Sequence, residues 1–134
     1  MTLAEKVRAY RALSEMMAEE WEFSFIYPLI GLMGDLSADY EFFSREEMKL
    51  VSRYGKKEED GTVAIDGKGG FDFADAASAA GFSEKHRALS ELASAEPEKT
   101  VLKMPPHIKG EWLRALMPFC RFVGEEGESD GSFA

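Results

Sequence analysis

The segment Tyr54–Phe73 constrains the fold most strongly, because it ends a long helical pattern and replaces it with turn and strand signals. It reads YGKKEEDGTVAIDGKGGFDF. Gly55 predicts a left-handed cap at the end of the helix, and the Asp-Gly pair at 60–61 predicts a turn. The alternation of apolar with small or polar residues over Thr62–Asp66 is typical of a short strand. A chain with this segment is expected to combine helices with strands.

Two helical patterns precede that segment. The first begins with a capping box formed by Thr2 and Glu5, and apolar residues recur at helical spacing over residues 3–21. The second places apolar residues on one stripe of Leu29–Tyr54, which the polar Glu47 interrupts. Two consecutive amphipathic patterns of this kind predict an antiparallel helical hairpin.

Pro28 sets the boundary between the two patterns. A proline suits the first turn of a helix and is costly in its interior. We therefore expect the second helix to start near Pro28, after a bend or short connection over Glu20–Tyr27. A kink at Pro28 within a longer helix is the alternative.

The second half of the chain predicts three further helical stretches. Ala74–Ala80 is rich in alanine, and Gly81 is expected to end that short helix. Ser83 predicts the N-cap of the next helix, which Pro97 closes. A final helix is expected over residues 109–119, shortened by a proline near its end.

A small sheet completes the prediction. Thr100–Met104 has the β-branched and apolar content of a strand, and we expect it to pair with Thr62–Asp66. The predicted fold is thus α+β, with an N-terminal antiparallel helical hairpin, a small two- or three-stranded sheet and two shorter C-terminal helices. Residues 1–122 form a single domain in this prediction, and residues 123–134 form a disordered acidic tail.

The charge of the chain argues against several partners. Sixteen basic and twenty-five acidic residues give a net charge of −9, and neither sign is concentrated in one region. Binding to nucleic acid or to an anionic membrane needs clustered lysine and arginine, so both are disfavoured.

The single cysteine, Cys120, forms no disulfide within the chain and fits a reducing compartment. The first ten residues do not resemble a signal peptide, and the apolar run Phe25–Met33 is too short to span a bilayer. A cytoplasmic protein is expected.

The order of these elements carries a family resemblance. It rests on Tyr54-Gly55, Glu59-Asp60-Gly61, Val63–Ile65, Phe71–Phe73, Glu91-Leu92, Val101–Met104 and Trp112–Leu116. Over roughly residues 5–122 this order resembles a family of small phage and prophage proteins of unknown function. The resemblance implies an accessory or assembly protein located in the host cell, or in the virion if the protein is structural. It implies no activity, cofactor or catalytic residue.

No pattern of residues predicts catalysis. His86 lies beside Glu84 and Arg87, and His107 follows two prolines, but neither histidine has the placed partner that acid–base catalysis requires. Cys120 lies between aromatic residues that suggest burial. The glycine-rich stretch 67–70 lacks the spacing of a phosphate-binding loop, which leaves a hairpin turn. We therefore predict no catalytic residue and no cofactor.

A cation site at the acidic turn is an alternative to simple solvation. Its carboxylates would be Glu58, Glu59, Asp60 and Asp66, which follow no calcium-loop spacing. Solvent exposure is the expected state of such a charge run, so no metal site is predicted.

Three aromatic residues suggest an interaction surface. Trp21, Phe23 and Phe25 read either as core residues or as apolar surface for a protein partner. A homodimer through the helical hairpin is a further expectation. The predicted function is a noncatalytic accessory or assembly role through protein–protein interaction. The alternatives are an acidic inhibitor of a host protein and a metal-dependent enzyme.

Overall fold

The structure is a computed structural model that describes residues 1–65 and 70–124. This part of the chain contains four helices and two short strands. In chain order they are α1 (Leu3–Met16), α2 (Phe23–Tyr54), α3 (Ala76–Ser90), β1 (Thr100–Lys103), α4 (Gly110–Leu116) and β2 (Cys120–Val123). The predicted mixture of helices with a small sheet is thus present.

Helix α1 begins where its capping signal places it. The Thr2 hydroxyl accepts a hydrogen bond from the Glu5 amide at 3.3 Å, and the Glu5 carboxylate accepts one from the Thr2 amide at 2.8 Å. Two amides that the helix itself leaves unpaired are satisfied in this way. These hydrogen bonds hold the pKa of Glu5 below its ordinary value, chiefly through the backbone amide of Thr2.

Helix α2 starts at Phe23, so the expected start near Pro28 is wrong and the proline lies inside the helix. Pro28 has no amide to donate to the carbonyl one turn earlier, which weakens this end of the helix. Burial of Leu29, Leu32 and Leu36 on the face that meets the core offsets that loss.

The core lies between α1, α2, α4 and the sheet. Its fully buried large side chains come from all of these helices and from the segment before β2: Leu3, Leu13, Met16, Leu29, Leu36, Leu116 and Phe119. One charged residue is buried among the apolar ones. Lys6 is only 7% exposed, and its ammonium contacts the Asp39 carboxylate of α2 at 2.9 Å.

The segment after α2 folds back through single bridges rather than a regular sheet. Antiparallel bridges join Gly55 to Phe73, Lys57 to Val63 and Ile65 to Phe71. The predicted turn at 60–61 is confirmed, because Gly61 has a φ of 89° and its amide bonds the Glu58 carbonyl at 3.0 Å.

Gly55 does not form the expected left-handed cap. Its φ of −76° and ψ of 154° are extended values that any residue adopts. A Cβ at this position would lie 2.7 Å from the Val51 carbonyl oxygen and 2.7 Å from a Val63 methyl. Close packing, rather than backbone conformation, therefore favours glycine here.

Helix α3 is a single helix where the sequence suggested two. Asp75 caps it by accepting a hydrogen bond from the Ser78 amide at 2.7 Å, and the helix continues through Gly81 to Ser90. A Cβ on Gly81 would lie 2.7 Å from the ring of Tyr54. The glycine thus permits close packing of α3 on α2 instead of ending the helix.

The sheet pairs β1 with β2 in parallel, with Thr100 opposite Cys120 and Lys103 opposite Val123. The predicted strand near Thr100 is confirmed, but its predicted pairing with Thr62–Asp66 is wrong. Parallel neighbours need a crossover connection, and α4 supplies it between the two strands. The final helix is present at Gly110–Leu116 and ends before Pro118.

The start of the chain is joined to the segment that follows α3. The Leu3 amide donates to the Leu92 carbonyl at 2.8 Å, and the Ser94 amide donates to the Met1 carbonyl at 2.9 Å. Val123 belongs to β2, whereas residues 125–134 of the predicted acidic tail lie outside the described residues.

Candidate functional site

The three aromatic residues singled out by the sequence lie in different surroundings. Phe23 is 88% exposed, whereas Phe25 is part of the core. Trp21 is half-buried, and its indole nitrogen donates to the Met16 carbonyl at the end of α1 at 2.8 Å. Its ring packs 5.1 Å from Phe25 and 6.0 Å from Trp112. Of the three, only Phe23 thus presents its ring to solvent.

Phe23 begins a longer exposed stripe on α2. Tyr27 follows after four residues and Ile30 after three more, and these side chains are 79% and 51% exposed. Residues at such spacing share one side of a helix. We call this side the outer face of α2; its members, all exposed, are Phe23, Tyr27, Ile30, Gly31, Gly34, Ala38, Glu41, Arg45 and Met48.

The middle of the outer face is flat and open. A Cβ built on Gly31 or Gly34 would meet no atom within 4 Å. Unlike Gly55 and Gly81, these two glycines are not required by packing within the described part of the chain. Helix α2 is also the longest helix of the described residues. No helix among these residues is both long and apolar enough to cross a membrane.

A groove lies between α1, α2, α3 and α4. Its volume is about 590 Å³. Arg8 and Arg11 of α1, Glu47 of α2, His86 of α3 and Arg114 of α4 reach it. Cavities of this size are typical of small-molecule sites.

A short polar contact in the groove joins residues that are distant in sequence. The His86 imidazole Nε2 lies 2.8 Å from the Glu47 carboxylate, which also lies 3.8 Å from the Arg11 guanidinium. The His86 ring stacks on Phe82 with 5.2 Å between centroids and meets the edge of Phe43 at 5.7 Å. The aromatic rings and the carboxylate together fix the orientation of this imidazole.

Other charged groups of the groove differ in whether they are paired. The Glu15 carboxylate accepts a hydrogen bond from the Trp112 indole at 2.9 Å. Neither Arg8 nor Arg114 has a carboxylate within 4.0 Å among residues 1–65 and 70–124. Two guanidinium groups are therefore available to a ligand in a chain whose acidic residues outnumber its basic ones.

The remaining residues considered for chemistry are not brought together. Cys120 is buried, and burial raises the pKa of its thiol to about 11. His107 is exposed and makes no polar contact with another described residue. The Asp60 carboxylate accepts hydrogen bonds from the amide and hydroxyl of Thr62 at 3.0 and 2.7 Å, which lower its pKa.

The acidic turn offers no metal site in the part of the chain that is described. Glu58 and Glu59 are exposed, and Asp66 lies outside the described residues. No group of three potential metal ligands occurs among residues 1–65 and 70–124. Most of the glycine-rich stretch 67–70 also lies outside the described residues.

The contact between His86 and Glu47 is the feature that sequence reasoning missed. The two residues are 39 positions apart, so no local motif joins them. One signal was present, because Glu47 is the polar residue that interrupts the apolar stripe of α2. A carboxylate in that position needs a partner on the helix that packs against the stripe.

Comparison with known proteins identifies no relative. No family model, curated protein or solved structure matches this chain. The resemblance to phage and prophage proteins stays a prediction.

Proposed function

We propose that this protein is a noncatalytic interaction protein that binds another protein through the outer face of α2. The resemblance described above supports a phage or prophage accessory or assembly role, in the host cytoplasm or in the virion. The net charge of −9 supports a protein partner rather than nucleic acid or an anionic membrane. An antiparallel hairpin of α1 and α2 is part of the proposal, because α1 then covers only the inner side of α2.

The observation that carries the proposal is the exposure of three large apolar side chains on one side of one helix. Phe23, Tyr27 and Ile30 occupy two successive turns and are 88%, 79% and 51% exposed. Single exposed apolar residues are common, whereas a contiguous apolar patch marks an interaction site. Aromatic residues are also enriched at protein interfaces, where they supply large contact areas.

Oxidative footprinting tests this assignment directly. The modification of Tyr27 and Met48 on the outer face is compared with that of Met104 and Met117, which are 45% and 55% exposed elsewhere. Tagged protein is labelled at low concentration in buffer and again in an extract of the source cells. We expect protection of Tyr27 and Met48 in the extract, with Met104 and Met117 unchanged. Equal modification of all four residues under both conditions would refute the proposal.

The groove supports a second candidate function, the binding of a small anionic ligand. The observation in its favour is that Arg8 and Arg114 have no carboxylate within 4.0 Å in the described part of the chain. Guanidinium groups bind carboxylate and phosphate through paired hydrogen bonds. Thermal unfolding is measured with sodium phosphate or sodium benzoate against sodium chloride of equal ionic strength. A rise in melting temperature that Arg8→Gln removes and Arg121→Gln retains is the expected result. No rise with either anion would count against this candidate.

A further inference from the structure

The outer face of α2 has a symmetric arrangement about Gly34. Ile30 and Ala38 each lie four residues from Gly34 along the helix. The pair Tyr27 and Glu41 lies seven residues away on either side, and the pair Phe23 and Arg45 lies eleven residues away. Intervals of four, seven and eleven residues return to the same side of an α-helix, so all of these side chains point outwards together.

The two halves of this face differ in character and complement each other. The half before Gly34 carries Phe23, Tyr27 and Ile30, and the half after it carries Ala38, Glu41 and Arg45, with Met48 beyond them. Two copies in antiparallel orientation therefore place Ile30 against Ala38 of the other copy. The Tyr27 hydroxyl then meets a Glu41 carboxylate, and an Arg45 guanidinium meets the face of a Phe23 ring.

Parallel pairing of the same face has no such complementarity. It would place Glu41 against Glu41 and Arg45 against Arg45 of the other copy. Like charges facing each other are destabilising, and the Tyr27 hydroxyl would lose its acceptor. The charge pattern of the face therefore selects the antiparallel orientation.

The open glycines allow the close approach that such pairing needs. Glycine inside a helix costs about 1 kcal/mol relative to alanine. Gly31 and Gly34 have no neighbour within 4 Å that would oppose a side chain, so the fold of the described chain does not require them. A second helix that crosses at these positions reaches a shorter interaxial distance than larger residues permit.

We propose that the protein forms a twofold-symmetric homodimer in which the outer faces of two α2 helices pack antiparallel, with the axis at Gly34. The inference rests on the proposed function, because it names the partner of the same surface. An interface of this kind is isologous, so each copy contributes the same residues and the assembly closes at two chains.

Cysteine cross-linking tests both the orientation and the axis. Gly34→Cys places two thiols across the axis, and a mild thiol oxidant is expected to yield a covalent dimer in high proportion. Met48→Cys is the matched control on the same face, since its copies lie far apart in the antiparallel dimer and adjacent in a parallel one. The native Cys120 is buried with a pKa of about 11, so it does not compete.

A mixed experiment fixes the register. Tyr27→Cys and Glu41→Cys proteins, differing in tag mass, are combined before oxidation, and the mixed dimer is expected to exceed either self-linked product. Efficient self-linking of Met48→Cys, or the absence of linking at position 34, would overturn the proposed arrangement.

Sedimentation of the unmodified protein provides the independent measurement. We expect a mass of twice 14.9 kDa that Ile30→Asp reduces to 14.9 kDa, while Leu92→Asp, a control of nearly equal exposure, leaves the dimer intact. A monomer at all concentrations, together with protection of Tyr27 in cell extract, overturns the homodimer and leaves the proposed function standing. A monomer without such protection overturns both.

Discussion

Helix α2 carries apolar side chains on two opposite sides, and the two sides have different surroundings. On the inner side Leu29 and Leu36 are fully buried by α1 and the rest of the core. On the outer side Tyr27 and Ile30 are as apolar as many core residues but remain exposed. The comparison shows that hydrophobicity alone does not decide burial. The described part of the chain covers one side of its longest helix and leaves the other side exposed.

The largest expected effect is a difference in stability between variants on the inner side and variants on the outer side of α2. Leu36→Ala on the inner side is expected to lower the free energy of unfolding by about 2–5 kcal/mol, because it removes buried contacts and leaves a cavity. Ile30→Ala on the outer side should change the unfolding of the monomer by less than about 0.5 kcal/mol. Urea denaturation at low protein concentration measures both. Equal losses would mean that the outer side is covered within one chain.

The buried Lys6 ammonium offers a second contrast. Asp39→Ala leaves the Lys6 ammonium buried without its carboxylate partner, and we expect a loss of about 2–3 kcal/mol, discounted because Asp39 is partly exposed. The additional change Lys6→Met should recover much of that loss, since it removes the unpaired charge. Denaturant melts of the wild type and the two variants form the test. No recovery in the double variant would show that the Asp39 carboxylate acts through Ser94, which it also contacts at 3.3 Å.

Replacing either of two helical glycines by alanine adds one methyl group and tests the same comparison. Gly31→Ala on the open outer face should stabilise the monomer by about 1 kcal/mol, because alanine favours the helix and meets no neighbour. Gly81→Ala has the same propensity gain but places a Cβ 2.7 Å from the Tyr54 ring, so we expect a net loss. Thermal melts of both variants at low concentration decide the signs. Stabilisation by Gly81→Ala would contradict the close packing of α3 on α2.

The smallest effect concerns the helix ends and depends on pH. The pKa of Glu5 is lowered in the folded protein, so its carboxylate contributes stability above the pKa of the unfolded chain. That contribution is lost as the pH falls through the folded value. Glu5→Gln should therefore reduce the loss of stability in acid. Glu22→Gln is the control, because Glu22 caps α2 without a side-chain hydrogen bond. Identical acid profiles for wild type and Glu5→Gln would refute the linkage.

Local signals in the sequence predicted the helices, turns and strands better than the contacts between them. The capping box of α1, the turn at 60–61 and the strand at β1 follow from neighbouring residues, and each is present. The start of α2 before Pro28 is not evident from local signals, because core burial outweighs the local cost of the proline. The passage of α3 through Gly81 is not evident either, because a glycine can serve close packing as well as helix termination.

Local sequence patterns did not predict the contacts between residues that are distant in the chain. The parallel pairing of β1 with β2 depends on where α4 packs, and no residue of either strand encodes that choice. The contact between His86 and Glu47 joins two helices in the same way. The sequence suggested Phe23 as a surface residue, but its place on one helix face with Tyr27 and Ile30 depends on the start of α2 before Pro28.

The hydrogen bonds between Met1–Leu3 and Leu92–Ser94 have a consequence for biosynthesis. A ribosome adds about 5–20 residues per second, so this pairing waits roughly 5–20 s after Met1–Leu3 are made. During that interval Met1–Leu3 have no access to these backbone partners. Closure of the fold is thus coupled to the synthesis of the segment after α3, and slow translation of the intervening region prolongs the exposure of the first turn of α1.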